Sequence, residues 1–212
     1  MSASYWKTVY KKCFSDPTYT WSLVRAFCLF FLSLVINYAA GTYATEYSSN
    51  PVTDIILSNI PVFNLDIVFV YGSTAMVVLI TLVCFAEPRR APYIIKSIAL
   101  FTLIRSLFVV LTHIAPYPTH IIIDPASYLN KFSFGGDLFF SGHTGMPFLL
   151  ALIYWKNNVI RNFFLGFSIM FAIVVLMAHL HYSIDVAAAF FITFSIYKIS
   201  MVFFKKDYQR FV

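Results

Sequence analysis

Six stretches of the chain run mostly apolar, at about 20–40, 63–86, 92–115, 143–157, 162–180 and 183–204, with shorter polar segments between them. A helix needs roughly 20 mainly apolar residues to cross the hydrocarbon of a bilayer. The pattern therefore predicts an all-α polytopic membrane protein, a bundle of six transmembrane helices. The fourth stretch is short for a span. It begins inside the polar run FGGDLFFSGHTGMP (134–147), and a helix that starts at a recessed polar site need not cross the whole layer. Residues 1–19 read as a polar cytosolic segment, unlike a cleavable signal peptide, and 205–212 as a cytosolic tail. No Pro-, Gly- or Ser-rich linker and no internal repeat divides the chain, so residues 1–212 read as a single membrane domain.

Composition supports this. Hydrophobic residues make up 60% of the chain and charged residues 11%, with a mean hydropathy of +0.78. Soluble domains hold roughly 45–50% apolar and about 25% charged residues. The net charge of +6 does not point to nucleic acid, because the basic residues sit at span ends, where they set topology and meet lipid headgroups. Lys7, Lys11, Lys12, Arg89, Arg90, Lys156, Arg161, Lys205, Lys206 and Arg210 all fall on one side if six spans alternate, while the opposite connections carry Lys131 alone. By the positive-inside rule the basic side is cytoplasmic and holds both termini. Cys13, Cys28 and Cys84 lie on or near that side, where thiols stay reduced, and no disulfide is expected.

The five histidines fall at the other, outer face. His113 and His120 flank the connection between spans three and four, His143 opens span four, and His179 and His181 stand where span five turns into span six. Asp137, Asp185 and Arg105 fall on the same face. Each alone is as well explained as a headgroup-level anchor. Together they mark a functional cavity, since ionisable groups within a membrane are costly. If span six begins at HYSIDV (181–186), the i,i+4 spacing puts His181 and Asp185 on one helical face, where the carboxylate accepts one ring N–H and frees the other nitrogen as base or nucleophile. His179 is off that face and reads as an interfacial or supporting residue. A metal is not expected, because no Cys or paired carboxylate completes a ligand set, and the chemistry needs no cofactor.

Ser141-Gly142-His143 precedes a helix, whose free N–H groups and dipole favour an anion such as phosphate. Gly142 allows close backbone approach, Ser141 can cap the helix or donate to a phosphate oxygen, and Arg105 supplies a fixed cation. His143 would stand beside that phosphate, able to protonate a leaving oxygen. Asp137 can orient His143, bind a headgroup amine or cap a turn. Phe132, Phe134, Phe139 and Phe140 read as packing.

GGDLFFSGHT (135–144) followed by HYSIDV (181–186) resembles the paired signatures of the sphingomyelin synthase-related enzymes of the type 2 phosphatidic acid phosphatase superfamily. RSLFVVLTHIAPYP (105–118) is similar to that family's earlier Arg motif, so the likeness covers about 90–200, a synthase-like catalytic core. The resemblance implies a six-span fold with its active site on the extracytoplasmic or lumenal face and a catalytic set filled by His143, His181 and Asp185. In such enzymes the Asp-paired histidine attacks phosphorus and the other histidine protonates the departing alcohol. The implied reaction takes a phospho-headgroup from a membrane phospholipid and passes it through phosphohistidine to a lipid alcohol such as ceramide. Two departures bear on this. Val174, Val175 and Leu176 stand where the superfamily's phosphatases carry a Ser-Arg pair, which favours the synthase branch, and Gly135 stands where animal synthases tend to carry Cys. A lipid phosphatase or phospholipase C-like hydrolase using the same residues is the alternative, and a lipid-binding protein without catalysis is a third.

Overall fold

The computed structural model describes residues 3–121 and 138–210. Lys131, Phe132, Phe134, Gly135 and Asp137 lie outside the described residues. Apolar runs of 20 and more residues become helices because hydrocarbon leaves the backbone no partner except itself. They are α2 (Pro17–Glu46), α3 (Asp66–Ala86), α4 (Ala91–Leu111), α6 (Asn158–Met177) and α7 (Ser183–Phe203). All five are long and apolar enough to cross a membrane, and the shorter apolar α5 (Gly142–Ile153) stands among them. The predicted six-helix bundle is thus present, with its fourth member as short as the sequence implies. At 1.5 Å per residue α5 is about 18 Å long and α2 about 45 Å, against a hydrocarbon thickness of about 30 Å.

Two helices go beyond the sequence reading. The chain before span one is not simply a polar segment, because Ala3–Phe14 forms α1. Trp6, Tyr10 and Phe14 recur at i, i+4 and stack along one face, Lys7, Lys11 and Lys12 interleave with them, and the pattern suits a helix lying in the membrane interface. The Tyr10 hydroxyl donates to the Phe85 carbonyl at 2.8 Å, fastening α1 to the end of α3. Asp16 then caps α2 by accepting from Thr18 N–H at 2.9 Å, with Pro17 at the first helical position, the arrangement that favours helix starts. A five-residue α8 (Lys205–Gln209) closes the described chain.

The short helix is the core. Leu149, Leu150 and Ala151 of α5 are fully buried, packed with Tyr93 and Phe101 of α4, Phe164 of α6 and Ile196 of α7. Phe31, Val35, Val77, Phe191 and Val202 point outward and are exposed. An outer surface this apolar belongs in lipid, since soluble proteins rarely expose large apolar patches. Close approach replaces the hydrophobic effect inside such a bundle. A Cβ on Gly145 would lie 2.7 Å from Thr193 Oγ1 and 2.8 Å from Phe101 Cε2, so α5, α7 and α4 meet at a position that has no room for a side chain.

At the end of the bundle that holds both termini, Lys96 of α4 is buried with Asp207 of α8. Its Nζ lies 2.6 Å from Asp207 Oδ2 and 2.8 Å from Ser22 Oγ, and Ser22 Oγ donates to Asp207 Oδ1 at 2.5 Å. This triad ties α2, α4 and α8 together.

Two stability predictions follow from these contacts. Gly145→Ala should lower the stability of the purified protein by about 1–3 kcal/mol, the usual cost of overpacking, read as a fall in melting temperature in detergent. Asp207→Ala, which strands a buried ammonium, should cost about 3–5 kcal/mol, with most of it recovered in Lys96→Met/Asp207→Leu.

Candidate active site

The site is built at the end of the bundle opposite the Lys96 triad, where α6 turns into α7 and α5 begins. Helix α6 ends at Met177, and His179 takes φ 55°, the left-handed conformation usually left to glycine. Leu180 N–H then bonds to the Val175 carbonyl at 2.8 Å and His179 N–H to the Leu176 carbonyl at 3.0 Å, the two bonds of a Schellman ending. The carbonyls left over are taken by other connections: Phe63 N–H donates to Met177 O at 2.8 Å and Ile121 N–H to Ala178 O at 3.1 Å. His179 itself is buried. Its Nδ1 lies 2.6 Å from Thr119 Oγ1 and its ring stands edge-on to Tyr117. Burial holds its imidazole below the ordinary value, partly offset by the Ile60 carbonyl and the Asp54 carboxylate. It supports the turn and shapes the connection that carries His181.

His181 lies in that connection, one residue outside the N-cap of α7, and not on the helix as the i,i+4 reading expects. The juxtaposition holds for another reason. Asp185 is the third residue of α7, and its Oδ2 reaches back to accept the Tyr182 N–H at 3.0 Å. This brings the carboxylate within 3.5 Å of His181 Nδ1, a separation at the long limit of a hydrogen bond, as is common where a catalytic contact tightens only around substrate. Both groups are buried, Asp185 fully. Asp185 Oδ1 has no hydrogen-bond partner among the described residues. With Nδ1 facing the carboxylate, Nε2 is the nitrogen of His181 left for reaction.

The SGH motif is tied directly to this turn. Ser141 N–H donates to the Asp185 carbonyl at 3.2 Å, and Ser141 Oγ caps α5 by accepting from Thr144 N–H at 3.4 Å. Arg105, on α4, donates from Nε to the Phe140 carbonyl at 2.9 Å. A Cβ on Gly142 would stand 3.2 Å from that same Nε, so the glycine lets the first turn of α5 lie against the guanidinium. His143 is wedged between Phe69 of α3 and Phe171 of α6, ring centres 4.4 and 5.6 Å away. The SGH motif, Arg105 and the His181–Asp185 turn are therefore joined at one end of the bundle, with His143 the residue after Gly142. His113 and His120 bind elsewhere, His113 beside Tyr43 and His120 to the Tyr117 carbonyl. Asp137 lies outside the described residues.

The chemistry this allows follows from charge. An arginine beside a helix N-terminus sets two positive ends against each other, an arrangement that suits an anion placed between them. Of the two motif histidines, one stands beside a carboxylate and the other between aromatic rings.

Asp54 belongs to the arrangement and is not legible from the motifs. It sits in the connection 47–65, and its Oδ2 accepts the Ser183 N–H at 2.7 Å, capping the first residue of α7. Oδ1 accepts from Ile56 and Leu57 N–H at 2.8 and 3.1 Å. Burial alone would raise this carboxyl, and the N–H donors from Ser183, Leu57 and Ile56 outweigh it and hold it below the ordinary 3.8. The Tyr182 hydroxyl adds a second tie, donating to Ala115 O at 2.8 Å while accepting from Val52 N–H at 3.2 Å. The only prior signal was an Asp two residues before Ile56, an ordinary turn pattern.

Asp54→Ala should destabilise the protein by about 1–3 kcal/mol by stranding buried donors. Since the folded carboxyl titrates below its unfolded value, its contribution is complete above that value and lost as pH falls through the folded one. The difference in melting temperature between wild type and Asp54→Ala should be constant from about pH 5 upward and shrink below about pH 4.

Residues 135–202, about a third of the chain, match the family model described as PAP2 superfamily C-terminal. The match takes in both histidine motifs and leaves Arg105 and Asp54 outside it. No curated protein and no solved structure matches the chain. Over residues 135–202 the chain is similar to the C-terminal region of the PAP2 superfamily, a family of membrane lipid phosphatases and phosphotransferases.

Proposed function

We propose that the protein is a membrane phosphotransferase that moves a phospho-headgroup from a glycerophospholipid to a lipid alcohol such as ceramide. The observation that supports this is that the SGH motif at the α5 N-terminus is tied on one side to Arg105 and on the other to the turn that carries His181 and Asp185. His181 Nε2 attacks phosphorus as the P–O bond to diacylglycerol breaks, and His143 gives its proton to the departing oxygen. The acceptor hydroxyl then loses its proton to His143 and attacks the phosphohistidine, the P–N bond breaks, and both histidines return to their starting states. Asp185 orients His181 and balances its positive charge, while Arg105 and the helix end stabilise the phosphoryl oxygens.

Whether water or a lipid alcohol takes the phosphoryl group depends on access. Leu57, Leu138 and Tyr182 pack as an apolar cover beside the His181 turn, and Arg105 lies six residues, about 9 Å, inside the end of α4. Both features favour a lipid acceptor over water. The distribution of Lys and Arg supports a cytosolic side for the termini and an extracytoplasmic or lumenal face for the site.

The test uses the full chain in vesicles with headgroup-labelled phosphatidylcholine, phosphatidylethanolamine or phosphatidic acid and ceramide. Label is expected in a new ceramide phospholipid, abolished in His181→Ala and reduced about 10²–10⁴-fold in His143→Ala. Label recovered only as water-soluble phosphate or phospho-base would make the protein a hydrolase.

A further inference from the structure

At the end of the bundle remote from the histidines, the start of α2, the first turns of α4 and the residues from the end of α7 through α8 enclose a cavity of about 630 Å³. Its floor is Lys96, 8% exposed and held in place by Ser22 and Asp207. Arg25 of α2, Lys205 and Lys206 of α8, and Arg210 line its sides. Asp207 is the only carboxylate among the lining residues, and it is shared between Lys96 and Arg210, whose Nη1 lies 3.9 Å from Oδ1. Asp16, at 3.7 Å from Arg210 Nη2, offsets part of one further charge. Five cations thus face a concave space with a strong positive excess.

Topology alone does not produce this. Lysines that mark the cytoplasmic side of a span sit on loops and extend into water, whereas Lys96 lies inside an apolar helix and is buried. The cations come from separate elements yet face one volume, which falls within the 300–1,000 Å³ typical of ligand sites. The rim identifies the ligand's surroundings. Trp21 and Phe203 line the same cavity and are 64% and 71% exposed, which suits side chains at the level of lipid headgroups. The cavity is also separate from the candidate active site. Lys96 precedes Arg105 by nine residues on α4, about 14 Å, and Phe203 lies about 27 Å along α7 from Asp185.

We propose that this cavity is a second phospholipid site, which takes the phosphate-bearing headgroup of an anionic membrane lipid. Its cations meet the phosphate oxygens and the aromatic rim meets the glycerol and first methylenes. The site is independent of the transferase reading.

Native mass spectrometry of the full chain in neutral detergent tests it, with phosphatidic acid, phosphatidylinositol 4-phosphate and phosphatidylcholine supplied at equal concentration. Wild type should retain the two anionic lipids at least about tenfold over phosphatidylcholine. Neutralising one exposed cation, as in Arg25→Gln, should weaken retention about fivefold, and Arg25→Gln/Lys205→Gln/Lys206→Gln about a hundredfold. Arg105→Gln/His181→Ala should leave it unchanged. Equal retention of all three lipids would overturn the proposal, as would indifference to the single and triple substitutions. Loss only in Arg105→Gln/His181→Ala would assign the bound lipid to the active site. Displacement of the lipid by millimolar inorganic phosphate would mark a site for free anions and overturn it equally.

Discussion

A backbone N–H or C=O that loses its helical partner beside hydrocarbon costs several kcal/mol unless another group replaces it. The histidine end of this bundle is organised by that constraint. Two helices must stop and restart there, and the groups they release are not left to solvent. Carbonyls at the end of α6 are taken by Phe63 and Ile121, and N–H groups at the start of α7 by Asp185 and Asp54. These bonds fix the turn that carries His181, and further bonds to backbone carbonyls hold Ser141, at Asp185, and Arg105, at Phe140.

Asp185 illustrates how far one group serves both ends. Its side chain accepts the Tyr182 N–H and stands beside His181, while its carbonyl accepts the Ser141 N–H. Two motifs some forty residues apart are therefore joined through one residue rather than through a chain of side chains. His143, by contrast, is placed by packing between Phe69 and Phe171. His181 stands beside a carboxylate and His143 between rings, so the two histidines have different surroundings.

The spans were legible because hydrocarbon enforces long apolar runs, and the histidine motifs because ionisable residues are rare within them. What stayed hidden depended on tertiary partners. The i,i+4 spacing correctly paired His181 with Asp185 but for the wrong reason, since the helix starts after His181 and the reach is made by a capping carboxylate. Asp54 carried no motif, and only its contact with Ser183 reveals it. The amphipathic α1 was written in the spacing of Trp6, Tyr10 and Phe14, a signal lost when the segment is weighed by polarity alone. Lys96 drew no notice in the sequence, and its partner lies 111 residues on, beyond any local pattern.

That sequence separation has a consequence for how the protein is made. At a synthesis rate of about 5–20 residues per second, α4 emerges roughly 6–20 seconds before Asp207 exists. Lys96 is the sixth residue of α4, about 8 Å from the start of the helix. A charge there costs less than the about 2.5–3.5 kcal/mol of a helix centre, and for that interval its partner Asp207 is absent. The ammonium must wait at the interface, in the translocon or with a lipid phosphate until α8 folds back over it. A chain that stops before Asp207 lacks the carboxylate that holds Lys96 in the folded protein.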